Sequence, residues 1–246
     1  MTTDTKEIAE RFFSTLPAAE LRSMQEAGGL VIECYRVLAK TEDNVVGEIL
    51  KTEENFYEWD HYPDGDIYDG ESHSQFYYHA HVAGERPGEH GHFHTFLRPS
   101  GMPSGCLPAP LDDFKSPEDP DDALSHLVAI AMDGKGLPLK LFTTNRWVTD
   151  EVWYKASDVC RFVSLFNIDH AQPSWPVNLW ITNLMIMFRP QIFELLHERD
   201  ISLASWSKKH PDRNVYKDHA LEVTSEIDID VDAQMRAIAM CLEDKA

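Results

Sequence analysis

The sequence predicts an α+β fold in which a central antiparallel sheet of about five or more strands is flanked by helices. Three observations carry this expectation. Segments whose apolar residues alternate with polar ones gather in the middle of the chain and again near residue 225. Segments with apolar residues three and four positions apart lie on either side of them. No strand-helix-strand repeat joins the two kinds, which argues against a parallel sheet.

The elements follow in order. Residues 1–55 read as helical, with Ile8, Phe12 and Leu16 at a spacing of four and a second stripe at Leu30, Cys34 and Leu38. Gly28 and Gly29 are expected to interrupt or bend that region. WDHYPDGDIYDGES, with its Pro, Gly and Asp, reads as turns. Residues 60–148 form the β-rich part. SQFYYHAHV and HGHFHTFLR are strands joined by a loop containing AGERPGE, and SHLVAIAMD and LPLKLFTTNRWVT form a second hairpin about GKG. Within residues 149–246 fall helices near 150–166 and 177–198, the second broken at Pro190. A strand, LEVTSEIDID, places Leu221, Val223, Ile227 and Ile229 on one face, and a last helix has Val231, Met235, Ile238 and Leu242 on one side. The whole chain, 1–246, is read as a single domain. Residues 99–125 hold six of the fourteen prolines and show no period, so they read as a long loop leaving the second histidine strand. It is either a lid over that strand or a solvated excursion.

Composition narrows the function. A chain of 246 residues can bury a core without disulfides or a structural metal. Lys and Arg total 22 against 42 Asp and Glu, a net charge of −20 that repels phosphate backbones and anionic lipid, so nucleic acid and membrane are not the expected partners. The N-terminus lacks a basic segment followed by an apolar run, and LWITNLMIMF is half the length of a membrane span. The expected location is cytoplasmic. The four cysteines form no CxxC pair and read as reduced thiols.

The chemistry concentrates in YYHAH and EHGHFH, where His79, His81, His90, His92 and His94 fall on alternate positions of two neighbouring strands. Alternate residues share one face of a strand. If Phe76, Tyr78, Phe93 and Leu97 pack inward, all five histidines point the other way, with His79 opposite His92 and His81 opposite His90. Facing Cβ atoms would then be about 5 Å apart, close enough for three or four imidazoles to share a cation. The expected cofactor is one divalent transition metal, Fe, Zn, Cu or Ni. Glu89 is a candidate carboxylate ligand or general base, Tyr77 a hydrogen-bond donor to a bound oxygen, and Arg146 a clamp for a carboxylate or phosphate of a small substrate. The plainer reading is a polar, half-exposed strand face bonded to the abundant carboxylates.

Two resemblances attach to these residues. Gly84 followed after five residues by His90-Gly91-His92 resembles the opening of the first cupin motif, which implies a metal inside a small β-barrel. Phe96 and Leu97 stand where the cupin glutamate belongs, and no second motif follows. EHGHFHTFLR, LFTTNRWVT and HAQPSWPVNLWI together resemble a conserved bacterial family of unknown function across most of residues 60–200, which implies one shared architecture and no particular activity. The functional expectation is a soluble metal-binding protein, a metalloenzyme such as an oxygenase or hydrolase acting on a small polar substrate. A non-catalytic metal-handling or interaction module is the alternative. The sequence leaves the oligomeric state open.

Overall fold

The structure, a computed structural model, describes residues 4–51, 56–82, 84–111, 115 and 117–245. It contains one six-stranded antiparallel sheet whose strands pair in chain order: β1 (Tyr62–Tyr68), β2 (Ser74–His79), β3 (Gly91–Leu97), β4 (Ser125–Met132), β5 (Pro138–Thr144) and β6 (Val223–Asp228). The described helices are α1 (Thr5–Ile8), α2 (Ala18–Leu38), α3 (Val45–Leu50), α4 (Arg146–Thr149), α5 (Ala156–Val163), α6 (Trp175–Met187), α7 (Arg189–Lys209) and α8 (Val231–Glu243). The fold is therefore α+β with an antiparallel sheet. None of the described helices is long and apolar enough to cross a membrane.

The sheet has two chemically different faces. Phe76 and Tyr78 of β2, Phe93 and Leu97 of β3, and Val128, Ile130 and Met132 of β4 join the main core with Val31 and Cys34 of α2, Phe162 of α5, Trp180 of α6 and Leu195 of α7. The Phe93 and Trp180 rings lie 5.5 Å apart at the sheet-helix boundary. Burying each such side chain contributes about 1.5–3 kcal/mol, so a one-residue slip that exposed Phe76, Tyr78, Phe93 and Leu97 together would cost about as much as a domain's whole net stability. That fixes the register at Tyr77 opposite His94 and His79 opposite His92. The other face carries Tyr77, His79, His92 and His94, then Ala129 and Ala131 on β4, then Phe142 and Thr144 on β5.

Several expectations are corrected. The turn-rich segment after residue 59 contains β1, a bulged edge strand with Gly65 at φ +82° and Asp66 at φ +57°. Its Pro and Gly are tolerated because only one edge is paired. Helix α2 runs unbroken through Gly28 and Gly29. At Gly28 an added Cβ would meet Met235 Sδ at 2.3 Å, so its small size serves the close approach of α8. The buried stripe of α2 is Ala27, Val31, Cys34 and Leu38, while Leu30 is exposed. The span near 150–166 holds only the short α5, preceded by residues 151–155 without regular secondary structure. Pro190 does separate α6 from α7, but as the second residue of a helix that continues to Lys209. In β6 the inward residues include Thr224 and Ser225, whose hydroxyls both pair with Thr143 Oγ1, at 2.7 and 2.6 Å. In α8 the deeply buried residues are Ala233, Gln234, Ala237, Ile238 and Cys241, a stripe offset from the expected one.

No described residue of 99–125 lines the histidine face. Ala109 and Leu111 instead pack against Trp153, Leu203 and Val215, Ala109 N–H donates to Trp153 O at 2.7 Å, and Arg98 ties the returning chain through Asp122 at 2.8 Å. The lid expectation fails for the described part of the loop; residues 112–114 and 116 lie outside the described residues. The open, singly layered sheet also does not supply the barrel that the cupin-like spacing implies.

Candidate metal centre

His79 is the last residue of β2 and His92 the second of β3, so the ladder places them directly opposite, with ring centroids 4.4 Å apart. His81 lies beyond the end of β2, yet its ring stands 5.3 Å from that of His79 and 5.1 Å from that of His92. One nitrogen from each of the three imidazoles lies within 4.8 Å of the others, and this group could hold a metal ion. The outward nitrogens indicate which atoms are available. His92 Nδ1–H donates to Glu89 Oε1 at 2.6 Å, and His81 Nδ1 faces Glu85 Oε2 at 3.4 Å. The Nε2 atoms of His79 and His81 are buried with no partner among the described residues. A carboxylate at Nδ1 with Nε2 left for the ion is the arrangement that orients a metal-binding histidine, and His81 has it, with Glu85 facing Nδ1 and Nε2 unpartnered among the described residues. Orphaned buried nitrogens are otherwise costly, so the donor set fits a bound cation.

The electrostatics favour the same protonation state. Burial pushes His79 down to about 3, with further repulsion from His81, and holds His92 and His94 well below the ordinary imidazole range. His81 is lowered for the same first reason. Neutral imidazoles are the form that binds a metal. Burial raises the Glu89 carboxyl to about 7, opposed by the attraction of Arg86.

The remaining sequence candidates divide. His94 sits beside His92, centroids 4.7 Å apart, fully buried, with Nδ1 bonded to His126 Nε2 at 3.0 Å and Nε2 without a partner among the described residues. His94 lies outside the convergent triad. His90 precedes β3 and turns to the other side: its Nδ1 bonds the Tyr78 hydroxyl at 2.6 Å and its ring lies near Phe56. The expected pairing of His81 with His90 is therefore not formed, because β2 ends at His79. Gly91 permits the turn; a Cβ there would meet His79 O at 2.4 Å and Tyr78 Oη at 2.5 Å. Glu89 touches His92 rather than joining the three histidines. Tyr77 lines the cavity, stacked on His61 at 3.6 Å. Arg146 does not line it: its guanidinium donates to Glu151 O at 3.0 Å and approaches Asp150 Oδ1 at 3.4 Å.

The histidines open on a cavity of about 620 Å³. Its walls include residues that pattern reading passed over. His61 is held through Nδ1 by Asp66 Oδ1 at 3.2 Å, and Asp66 in turn accepts from Gln75 Nε2 at 2.7 Å. Arg86, on the β2–β3 loop, pairs with Glu222 next to β6 and lies 5.3 Å over the Phe142 ring. Behind the floor, His126 N–H donates to Glu151 Oε2 at 2.8 Å, and burial raises that carboxyl to about 8. One signal was available in advance: the alternation Ala129-Ile130-Ala131-Met132 puts only methyl groups on the histidine face of β4. This lets the His92 and Phe142 rings approach to 5.1 Å across the intervening strand.

No curated protein and no solved structure matches the chain. The family described as a domain of unknown function (DUF6969) matches residues 25–229, a span that includes the three histidines, all six strands and helices α3 to α7. The chain with this histidine-floored sheet belongs to the DUF6969 family.

Proposed function

We propose that the protein is a metalloenzyme in which His79, His81 and His92 hold one divalent transition metal and present its free coordination positions to a small molecule in the adjoining cavity. The observation that carries this reading is the convergence of three neutral imidazoles within 4.8 Å, two of them with orphaned Nε2 atoms. Three protein ligands leave at least one position for substrate or water, the usual arrangement of a catalytic site. When bound, the ion supplies Lewis-acid polarisation or activation of water or dioxygen. Glu89 fixes the orientation of the His92 ring, and Arg86 and Glu222 close one wall. A metal carrier is the second reading; the burial of His92 at 1% and His79 at 9% exposure favours a sheltered reaction site over rapid exchange.

The test is elemental analysis of tag-free protein together with His79→Ala, His92→Ala and His90→Ala variants. Stoichiometric metal in the wild type and in His90→Ala, lost from the other two, is the expected result. A wild type that holds no Fe, Zn, Cu or Ni and takes up none on titration would sink the reading.

A further inference from the structure

We propose, resting on the metal-centre reading, that the cavity takes a flat, ring-shaped ligand that carries no anionic substituent apart from its metal-directed donor, laid against Trp59 and Trp147 with an oxygen or nitrogen donor directed at the three histidines. The walls support the flat shape. Trp59 is 54% exposed and has φ +74°, a conformation that a bulky side chain rarely adopts and that gathers at ligand sites. Its backbone N–H donates to Ala80 O at 3.0 Å, which pins the turn. Its ring lies at a steep angle to that of His81, centroids 4.3 Å apart at 73°, so the two rings are not stacked on one another. Trp147 is braced from behind, stacked on His219 at 4.1 Å and 13° with its indole N–H donating to Leu221 O at 3.0 Å. Both indoles line the cavity. Rings held in place this way lose little freedom on binding, and a flat π system gains most from them.

Charge supports the second part. Arg86 is the only Lys or Arg among the described residues lining the cavity. It is already paired with Glu222 and lies 3.8 Å from Glu89. Glu85 adds a further carboxylate to the wall, on a chain of net charge −20. Away from the ion, whose charge acts on the donor atom bound to it, the wall offers a substituent of the ring only carboxylates and a guanidinium already paired, so an added negative group is disfavoured there and a neutral or cationic one is not. The volume of about 620 Å³ is within the range of small-molecule sites.

Calorimetric titration of the zinc-loaded full chain tests this, using catechol, cis-1,2-cyclohexanediol and 3,4-dihydroxybenzoate as probes on wild type, Trp59→Leu and Trp59→Phe. Catechol should bind the wild type at least about tenfold more tightly than either analogue, and its advantage over the diol should fall roughly tenfold in Trp59→Leu at unchanged zinc content and largely return in Trp59→Phe. Equal affinities for catechol and the diol, or no catechol binding, would overturn the proposal. So would an advantage unchanged in Trp59→Leu, which would come from metal chelation alone. Dihydroxybenzoate binding as tightly as catechol would overturn the charge selection. A wild type that takes up no zinc would defeat the metal reading alone, since the same titrations on the metal-free chain still decide the ring preference.

Discussion

Glu89 Oε1 accepts a hydrogen bond from His92 Nδ1–H at 2.6 Å, and both side chains are buried. The carboxylate therefore sets the ring orientation and tautomer of a central histidine without joining the cluster itself. Replacing it with glutamine keeps an acceptor of the same reach but removes the charge that strengthens the bond. Glu89→Gln should weaken metal affinity about 10–100-fold, measured by competition against a chromogenic chelator. Affinity within twofold of the wild type would show that His92 needs no such support.

Gly91 should tolerate no side chain. Its added Cβ would press on a backbone oxygen, His79 O at 2.4 Å, which cannot rotate away. Overpacking of this kind costs about 1–3 kcal/mol. Gly91→Ala should lower the urea midpoint accordingly and reduce metal content, since the displaced atom belongs to a residue of the triad. Gly29→Ala, where nothing lies within 4 Å, is the control and should be neutral or slightly stabilising.

Two adjacent threonines should respond oppositely to loss of a hydroxyl. Thr143 Oγ1 bonds both Thr224 and Ser225; Ser225 Oγ keeps its bond to Leu195 O at 2.8 Å, so Thr143→Val deprives the buried Thr224 hydroxyl of this partner and should cost about 1–3 kcal/mol. Thr144 Oγ1 is buried with no partner among the described residues, so Thr144→Val removes an unpaired group and should leave stability equal or raise it by up to about 1 kcal/mol. Denaturant unfolding of the metal-free variants checks both; a large loss in Thr144→Val would mean that its hydroxyl has a partner.

Glu151 and the buried histidines should shape the pH dependence of the metal-free fold from opposite sides. Burial raises Glu151 to about 8 from an ordinary value near 4.5. The folded state then binds more protons than the unfolded state between these values, and stability from this group declines as pH rises through that window, at up to about 1.4 kcal/mol per pH unit. Glu151→Gln mimics the protonated form and should flatten that decline. His79 and His126 are lowered to about 3, so their contribution is complete above about 6.5 and is lost as pH falls toward 3. Urea midpoints from pH 4.5 to 8.5 separate the two; an alkaline decline identical in wild type and Glu151→Gln would remove Glu151 from the account.

What the sequence made legible is strongest where one face of a strand is apolar. The alternation through Phe76, Tyr78, Phe93 and Leu97 determines the pairing of His79 with His92, and both follow from period-two patterning alone. The rest depended on atoms that pattern reading does not weigh. His90 continues the alternation in sequence, yet it precedes β3 and the Tyr78 hydroxyl offers a partner on the other side. Arg146 looks available in sequence, but nearby carbonyl and carboxylate oxygens satisfy it. His61 and Trp59 lay in a stretch whose Pro, Gly and Asp suggested turns; a bulged edge strand follows them, and both side chains line the cavity.

Ala129 and Ala131 are fully buried between the histidine strand and β5, and their two methyl groups act as a shim. Their thickness sets how near Phe142 can come to His92, so a change on β4 is felt at an imidazole on a different strand. Variation here would tune the centre from a distance: the two carbons that valine would add at Ala131 would wedge the phenyl and imidazole apart and re-aim a histidine while leaving every polar partner of that histidine in the sequence. Ala131→Val is thus a more delicate adjustment of this chamber than any substitution of the histidines themselves.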